Sequence, residues 1–260
     1  MRRLGALAAG ALLASCATPG GPTVTPITEG YLAESRIDAL ADTLSPPGDA
    51  GWAAEAAALA GAPATPYNYD RWQLAIVHAE LRPPEAAQHF DCVLGARFMS
   101  EPRPALTRLL ARLSVDAQKV SLKLGQRTPR DRPGVAEPGL KPCQRTSDEM
   151  RRSPSWPASG AVVGTAYGEA FAALAPDAAD GARRTGRAIG ESRVVCRMNW
   201  PSDVEAGERL GEALYAEAAV TREFAADLAE AGREVSEARA EGLTNPACAF
   251  ERRALRPDAG

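Results

Sequence analysis

The chain runs to 260 residues, with 30 Lys and Arg against 33 Asp and Glu, a formal net charge of −3 and only two histidines. That acidic balance removes the electrostatic case for nucleic-acid binding. The length suits one large domain, and neither a mid-chain linker nor a fixed-period repeat divides it.

The opening MRRLGALAAGALLASC sets Arg2 and Arg3 before a short apolar run, then small residues up to Cys16. This is the order of a secretory signal, and the run is too short to span a bilayer. Leu13-Ala14-Ser15-Cys16 is similar to the lipobox of bacterial lipoproteins. The similarity implies that residues 1–15 are a signal peptide, that Cys16 is lipidated, and that residues 16–25, rich in Gly, Pro and Thr, are a tether. Residues 26–260 are then a domain hung from a membrane by acyl chains. Ala17 after the cysteine favours the outer membrane, facing the periplasm; cleavage elsewhere would instead leave a soluble periplasmic protein.

Beyond the tether, alanine is abundant and β-branched runs are scarce, and apolar residues recur at helical spacing, so the expected fold class is all-α. A first helix is expected over 27–44, with Tyr31, Leu32, Ile37, Leu40 and Leu44 on one face, stopped by Pro46-Pro47. Helices follow over 52–59 and 69–81, and a short one after Pro83-Pro84 runs through Cys92. The long amphipathic helix over 106–124 turns Leu109, Leu110, Leu113, Val120 and Leu124 inward. From Gly125 to Pro154, five prolines and six arginines predict an irregular segment that is a candidate wall for an anion site. Helices resume over 159–174, with Gly160, Gly164 and Gly168 on one face for close backbone approach, and over 178–189. Ser202-Asp203-Val204-Glu205 has the form of a capping box opening a helix to about Tyr215. A last helix spans 220–240.

Four cysteines lie beyond Cys16: Cys92, Cys143, Cys196 and Cys248. In an exported chain they read as two disulfides, and their spacing matches no zinc pattern, so no metal is expected. Three pairings are possible; Cys92 with Cys143 and Cys196 with Cys248 is favoured because it ties the ends of each half.

Three motifs stand in order. Arg132-Pro133 has Gly125 seven residues before Arg132. SWPASG at 155–160 offers Ala158-Ser159-Gly160, or Ser159-Gly160-Ala161 after a one-residue slide. Ser192-Arg193 is followed by Asn199 and Asp203. Together they resemble the signatures K-x6-R-P, P-S-G-H and S-R-x5-H-x3-D of the bacterial class A non-specific acid phosphatases, in the type 2 phosphatidic acid phosphatase superfamily. The resemblance covers most of the chain after the tether. It implies a single-domain helical bundle of the acid phosphatase/vanadium haloperoxidase type that uses no cofactor.

In such enzymes the Lys, both Arg and the Ser-Gly backbone hold phosphate. One His attacks phosphorus, the Asp orients it, and the other His protonates the leaving oxygen. Here the attacking position is Asn199, the acid position Gly160 and the Lys position Gly125. Asp203 is retained, and Arg132, Arg193 and Ser159 remain as a phosphate-binding remnant. Lys123, two residues from the Lys position, is about 200° around the helix and should face away. The expectation is a catalytically inactive, acid-phosphatase-like lipoprotein that binds phosphate or a phosphorylated small molecule, with Arg132 and Arg193 converging on the anion. For the two arginines the alternative is a structural ion pair with Asp203 or another acid. For the chain as a whole the alternative is a divergent phosphomonoester hydrolase using Asp203, His78 or a metal.

Overall fold

The computed structural model describes residues 27–60 and 69–256, and among these there is helix and no strand. The signal, Cys16 and the tether lie outside the described residues. Twelve α-helices follow one another: α1 (Glu34–Asp42), α2 (Asp49–Ala60), α3 (Tyr69–Val77), α4 (Asp91–Leu94), α5 (Pro104–Arg127), α6 (Pro133–Ala136), α7 (Asp148–Arg152), α8 (Ser159–Leu174), α9 (Ala179–Val195), α10 (Pro201–Ala219), α11 (Arg222–Ala240) and α12 (Cys248–Ala254). Short 3-10 turns precede α4 and α9. None is long and apolar enough to cross a membrane.

The core gathers on α5 and α8. The expected inward residues of α5, Leu109, Leu110, Leu113, Val120 and Leu124, are all buried, and α11 and α1 pack over that helix. α8 is buried nearly all round, by α9 and α10 on two sides and by α5 on a third, as its almost uniformly apolar sequence requires. Phe171 of α8 stacks on Phe90 with ring centroids 4.1 Å apart. The glycine stripe of α8 sets the spacing of this layer. A Cβ on Gly186 of α9 would lie 2.6 Å from the Gly164 carbonyl oxygen, so α8 and α9 touch backbone to backbone.

Several boundaries differ from expectation, each for a tertiary reason. α1 begins at Glu34, not at residue 27, because Asp116 of α5 takes the Tyr31 and Leu32 N–H groups (2.7 and 3.2 Å) and holds the chain in a bend ahead of the helix. α3 ends at Val77, ahead of turns and a cis Pro83-Pro84 bond. α9 runs past residue 189 to Val195 and so carries Ser192 and Arg193 on its last turns. The irregular segment contains α6 and α7, and α12 was not anticipated.

The expected capping box is also corrected. Pro201 is the first residue of α10, and Asp203, not Ser202 or Glu205, closes the end by accepting the Trp200 N–H at 2.8 Å. The Ser202 N–H goes to Glu55 of α2 at 2.7 Å.

The disulfides join Cys92 to Cys248 and Cys143 to Cys196, which overturns the favoured pairing. α12 packs beside α3, and Asn245 bonds Asp91, so the carboxyl-terminal segment returns to α4. Cys143 lies against the end of α9, where its N–H donates to the Cys196 carbonyl at 3.1 Å. Chain reversal, invisible in residue spacing, brought together cysteines 156 and 53 positions apart.

Candidate functional site

A cavity of about 510 Å³ opens where the N-terminus of α8 meets the last turn of α9, the segment 196–200 and the loop 128–158. Arg132, Ser159, Gly160, Arg193, Met198 and Asn199 line its inner part; Glu80, Arg82, Gln118, Gln144 and Met150 line the rest. The fold thus brings five of the positions singled out in the motifs to one surface. Ser159 is the first residue of α8, whose N-cap, Ala158, has no capping side chain. The positive end of the helix dipole and its open N–H groups therefore face the same space.

The two guanidiniums are held differently. Arg132 donates to the carbonyls of Met150 (3.1 Å), Met198 (2.8 Å) and Pro154 (3.1 Å) and to Ser153 Oγ (3.0 Å). All four acceptors are neutral. Arg193 is 9% exposed and makes no side-chain hydrogen bond or salt bridge among the described residues. Burial, together with the neighbouring Arg132 cation, pushes its pKa down to about 10. Burial lowers Arg132 as well, opposed by Asp203. Two like charges drawn out of water, neither in an ion pair with a carboxylate among the described residues, are costly, and an anion between them relieves both the desolvation and the repulsion.

Asp203 does not line the cavity. It is fully buried, and its carboxylate accepts from Arg130 Nη1 (2.6 Å), the Trp200 N–H and the Ser155 hydroxyl. Burial pushes the carboxyl upward, and these donors pull it back. Asn199 reaches it only through Ser155, donating to the Ser155 carbonyl at 2.7 Å and, more weakly, to its Oγ at 3.4 Å. Because a carbonyl accepts this bond, the amide NH₂ is oriented inward and Oδ1 is left with no hydrogen-bond partner among the described residues.

Neighbouring groups stand close to both motif glycines, Gly160 and Gly125. A Cβ on Gly160 would lie 2.9 Å from Arg193 Cδ, so the arginine occupies space that a side chain there would need. A Cβ on Gly125 would lie 3.1 Å from the Pro154 ring. Lys123 points to α1 and pairs with Glu34 and Asp38, away from the cavity.

Neither histidine lines the cavity. His78 is buried, with Nδ1 2.8 Å from Ser192 Oγ, and stacks edge-on against His89. Burial, then the His89 and Arg71 charges, holds His78 well below the ordinary imidazole range. No group of three or more His, Cys, Asp or Glu side chains is arranged to hold a metal among the described residues.

Motif reading missed Arg130, Glu55 and Trp52. Arg130 is sandwiched between the Trp52 and Trp200 rings (4.7 and 5.0 Å) and bridges Asp203 to Glu55 (2.7 Å). The available signal was that a retained, buried Asp needs a cation, and Arg130 stands two residues before Arg132.

Comparison with curated proteins adds an independent line. The chain is 25% identical to a non-specific acid phosphatase of Salmonella typhimurium over 168 residues, 64% of this chain and 67% of the relative. It is similarly related to a non-specific acid phosphatase of Providencia stuartii (25% identity, 63% and 66%) and to an acid phosphatase of Zymomonas mobilis (26% identity, 67% and 66%). The chain is a distant relative of acid phosphatases. These alignments span about two thirds of the relatives' length, and no protein-family profile matches the chain.

Proposed function

We propose that this chain is an acid-phosphatase-like envelope protein that binds phosphate or a phosphorylated small molecule and does not turn it over through a phosphohistidine. The observation that carries the proposal is the pair of guanidiniums, half-buried Arg132 and buried Arg193, which line one cavity with Asn199 and make no ion pair with a carboxylate among the described residues. A guanidinium binds phosphate oxygens bidentately, and the open N-terminus of α8 adds backbone donors.

Attack on phosphorus needs a nitrogen lone pair that can bond and later leave, and the Asn199 amide nitrogen is conjugated with its carbonyl and committed to Ser155. Loss of a nucleophile costs on the order of 10⁴ to 10⁶ in rate. The hydrolytic alternative through Asp203 is disfavoured because that carboxylate is bound to Arg130, Ser155 and the Trp200 N–H. His78 is disfavoured by its burial against Ser192.

Titration calorimetry with inorganic phosphate and vanadate is the test, alongside nitrophenyl phosphate turnover at acid and neutral pH. Heat with the parent protein, none with Arg193→Met and no turnover are expected. Robust turnover, or no heat at millimolar anion, would overturn the reading. Export and attachment through Cys16 to the outer membrane belong to the same proposal. They rest on the amino-terminal sequence, and labelling with a radioactive fatty acid, lost in Cys16→Ser, tests them.

A further inference from the structure

We propose that the Cys143–Cys196 disulfide is a redox latch on the anion cavity: intact, it holds the loop wall and both guanidiniums in binding geometry, and reduced, it releases them. The inference rests on the anion-binding reading above. Cys196 is fully buried and stands three residues after Arg193 and three before Asn199, while Cys143 is partly exposed and adjoins Gln144 on the cavity wall. The bond therefore fastens the two walls to one another at the cavity itself.

The hydrogen bonds of Arg132 cross the same seam. Its acceptors Met150, Ser153 and Pro154 belong to the loop, and Met198 belongs to the segment after α9. Holding that guanidinium in place thus requires the two walls to stay in register. Between 133 and 152 the loop has little structure of its own: α6 and α7 have four and five residues, and α7 buries none of them. The Cys143 N–H to Cys196 carbonyl bond ties the middle of the loop beside the disulfide, while Arg132 to Met198, Trp200 Nε1 to the Asp131 carbonyl (2.8 Å) and Asn199 to the Ser155 carbonyl (2.7 Å) tie its ends. The other disulfide, Cys92–Cys248, joins α4 to α12 and touches none of the cavity residues, so it serves as an internal control.

In the reductive step a dithiol thiolate attacks the Cys143 sulfur, the Cys143–Cys196 bond breaks, and Cys196 leaves and is protonated. The second thiol of the reductant then displaces Cys143, which is protonated in turn, and the reductant closes to its own disulfide. Two electrons and two protons pass to the two cysteines.

The test uses the full chain carrying Cys92→Ser and Cys248→Ser, so that a dithiol reduces Cys143–Cys196 alone. Phosphate titration should show a Kd weakened about ten-fold or more on reduction and restored on reoxidation. A chain carrying Cys143→Ser and Cys196→Ser should stay in the weakened state with its helical circular dichroism intact. A Kd unchanged within about two-fold overturns the latch, and so does global loss of helix on reduction. If the oxidised protein gives no heat with phosphate, the anion-site reading fails separately. The latch is then decided by amide hydrogen exchange over 144–153 and 197–199: faster exchange on reduction supports it, and unchanged protection overturns it.

Discussion

The neighbours of Asn199, Gly160 and Gly125 crowd the positions where larger side chains would have to stand. Arg193 lies across the Gly160 position, Pro154 covers Gly125, and Ser155 stands between Asn199 and Asp203. Restoring Asn199→His, Gly160→His and Gly125→Lys together should therefore leave nitrophenyl phosphate turnover at background. Substantial release of nitrophenol by that triple variant would mean the pocket was kept intact and only its groups were lost. Arg193→Lys should weaken phosphate binding about ten-fold or more in calorimetry, since an ammonium replaces a bidentate fork by a point charge. The motif spacing made Arg132, Arg193, Asn199 and Asp203 legible as a group. It did not separate the three that share the cavity from Asp203, which lies behind it, because that depends on the direction α10 leaves Trp200.

Helix α8 is the element on which the site depends, since its N-terminus forms part of the cavity and its glycine face sets how closely α9 approaches. Gly186→Ala would drive a methyl to within 2.6 Å of the Gly164 carbonyl and should destabilise the protein by about 3 kcal/mol in urea unfolding. Gly232→Ala is the contrasting change. It is interior to α11, and a Cβ there would find only Leu174 at 3.8 Å, so helix propensity should dominate and stability rise by about 1 kcal/mol. The same unfolding experiment reads both, and a fall for Gly232→Ala or no change for Gly186→Ala would contradict the packing. Periodicity located α5, α8 and α11 well because their apolar faces are long. It placed the start of α1 too early because Asp116, 85 residues away, captures the Tyr31 N–H. It missed α12, whose position depends on a disulfide.

The two histidines give the whole molecule one component of its pH dependence. Both are buried, and burial holds both below the ordinary imidazole value of about 6.5. Below that pH the unfolded chain binds more protons than the folded one. Stability should therefore fall as pH drops from about 6.5, by up to about 1.4 kcal/mol per pH unit for each ring kept neutral. Glu251, raised to about 6 by burial and by Asp91, acts in the opposite sense. The histidine share is isolated by comparing urea midpoints of parent and His78→Gln at pH 7 and pH 5: the variant should lose less stability on acidification. An equal loss in both would exclude His78 as a source.

The sequence by itself determined the all-helical class, the long core helices and the presence of two disulfides, because helical periodicity and cysteine number are local or countable properties. Motif spacing also singled out Arg132, Ser159, Gly160, Arg193 and Asn199, which the fold brings to one cavity. Only the tertiary structure decided how the cysteines pair, that Asp203 is bound to Arg130 behind the cavity wall, and that Arg132 and Arg193 line one cavity without an ion pair to a carboxylate among the described residues. Those outcomes depend on which distant backbones come within hydrogen-bonding reach. Linear spacing carries no record of that, and it is there that the charge of the site is set.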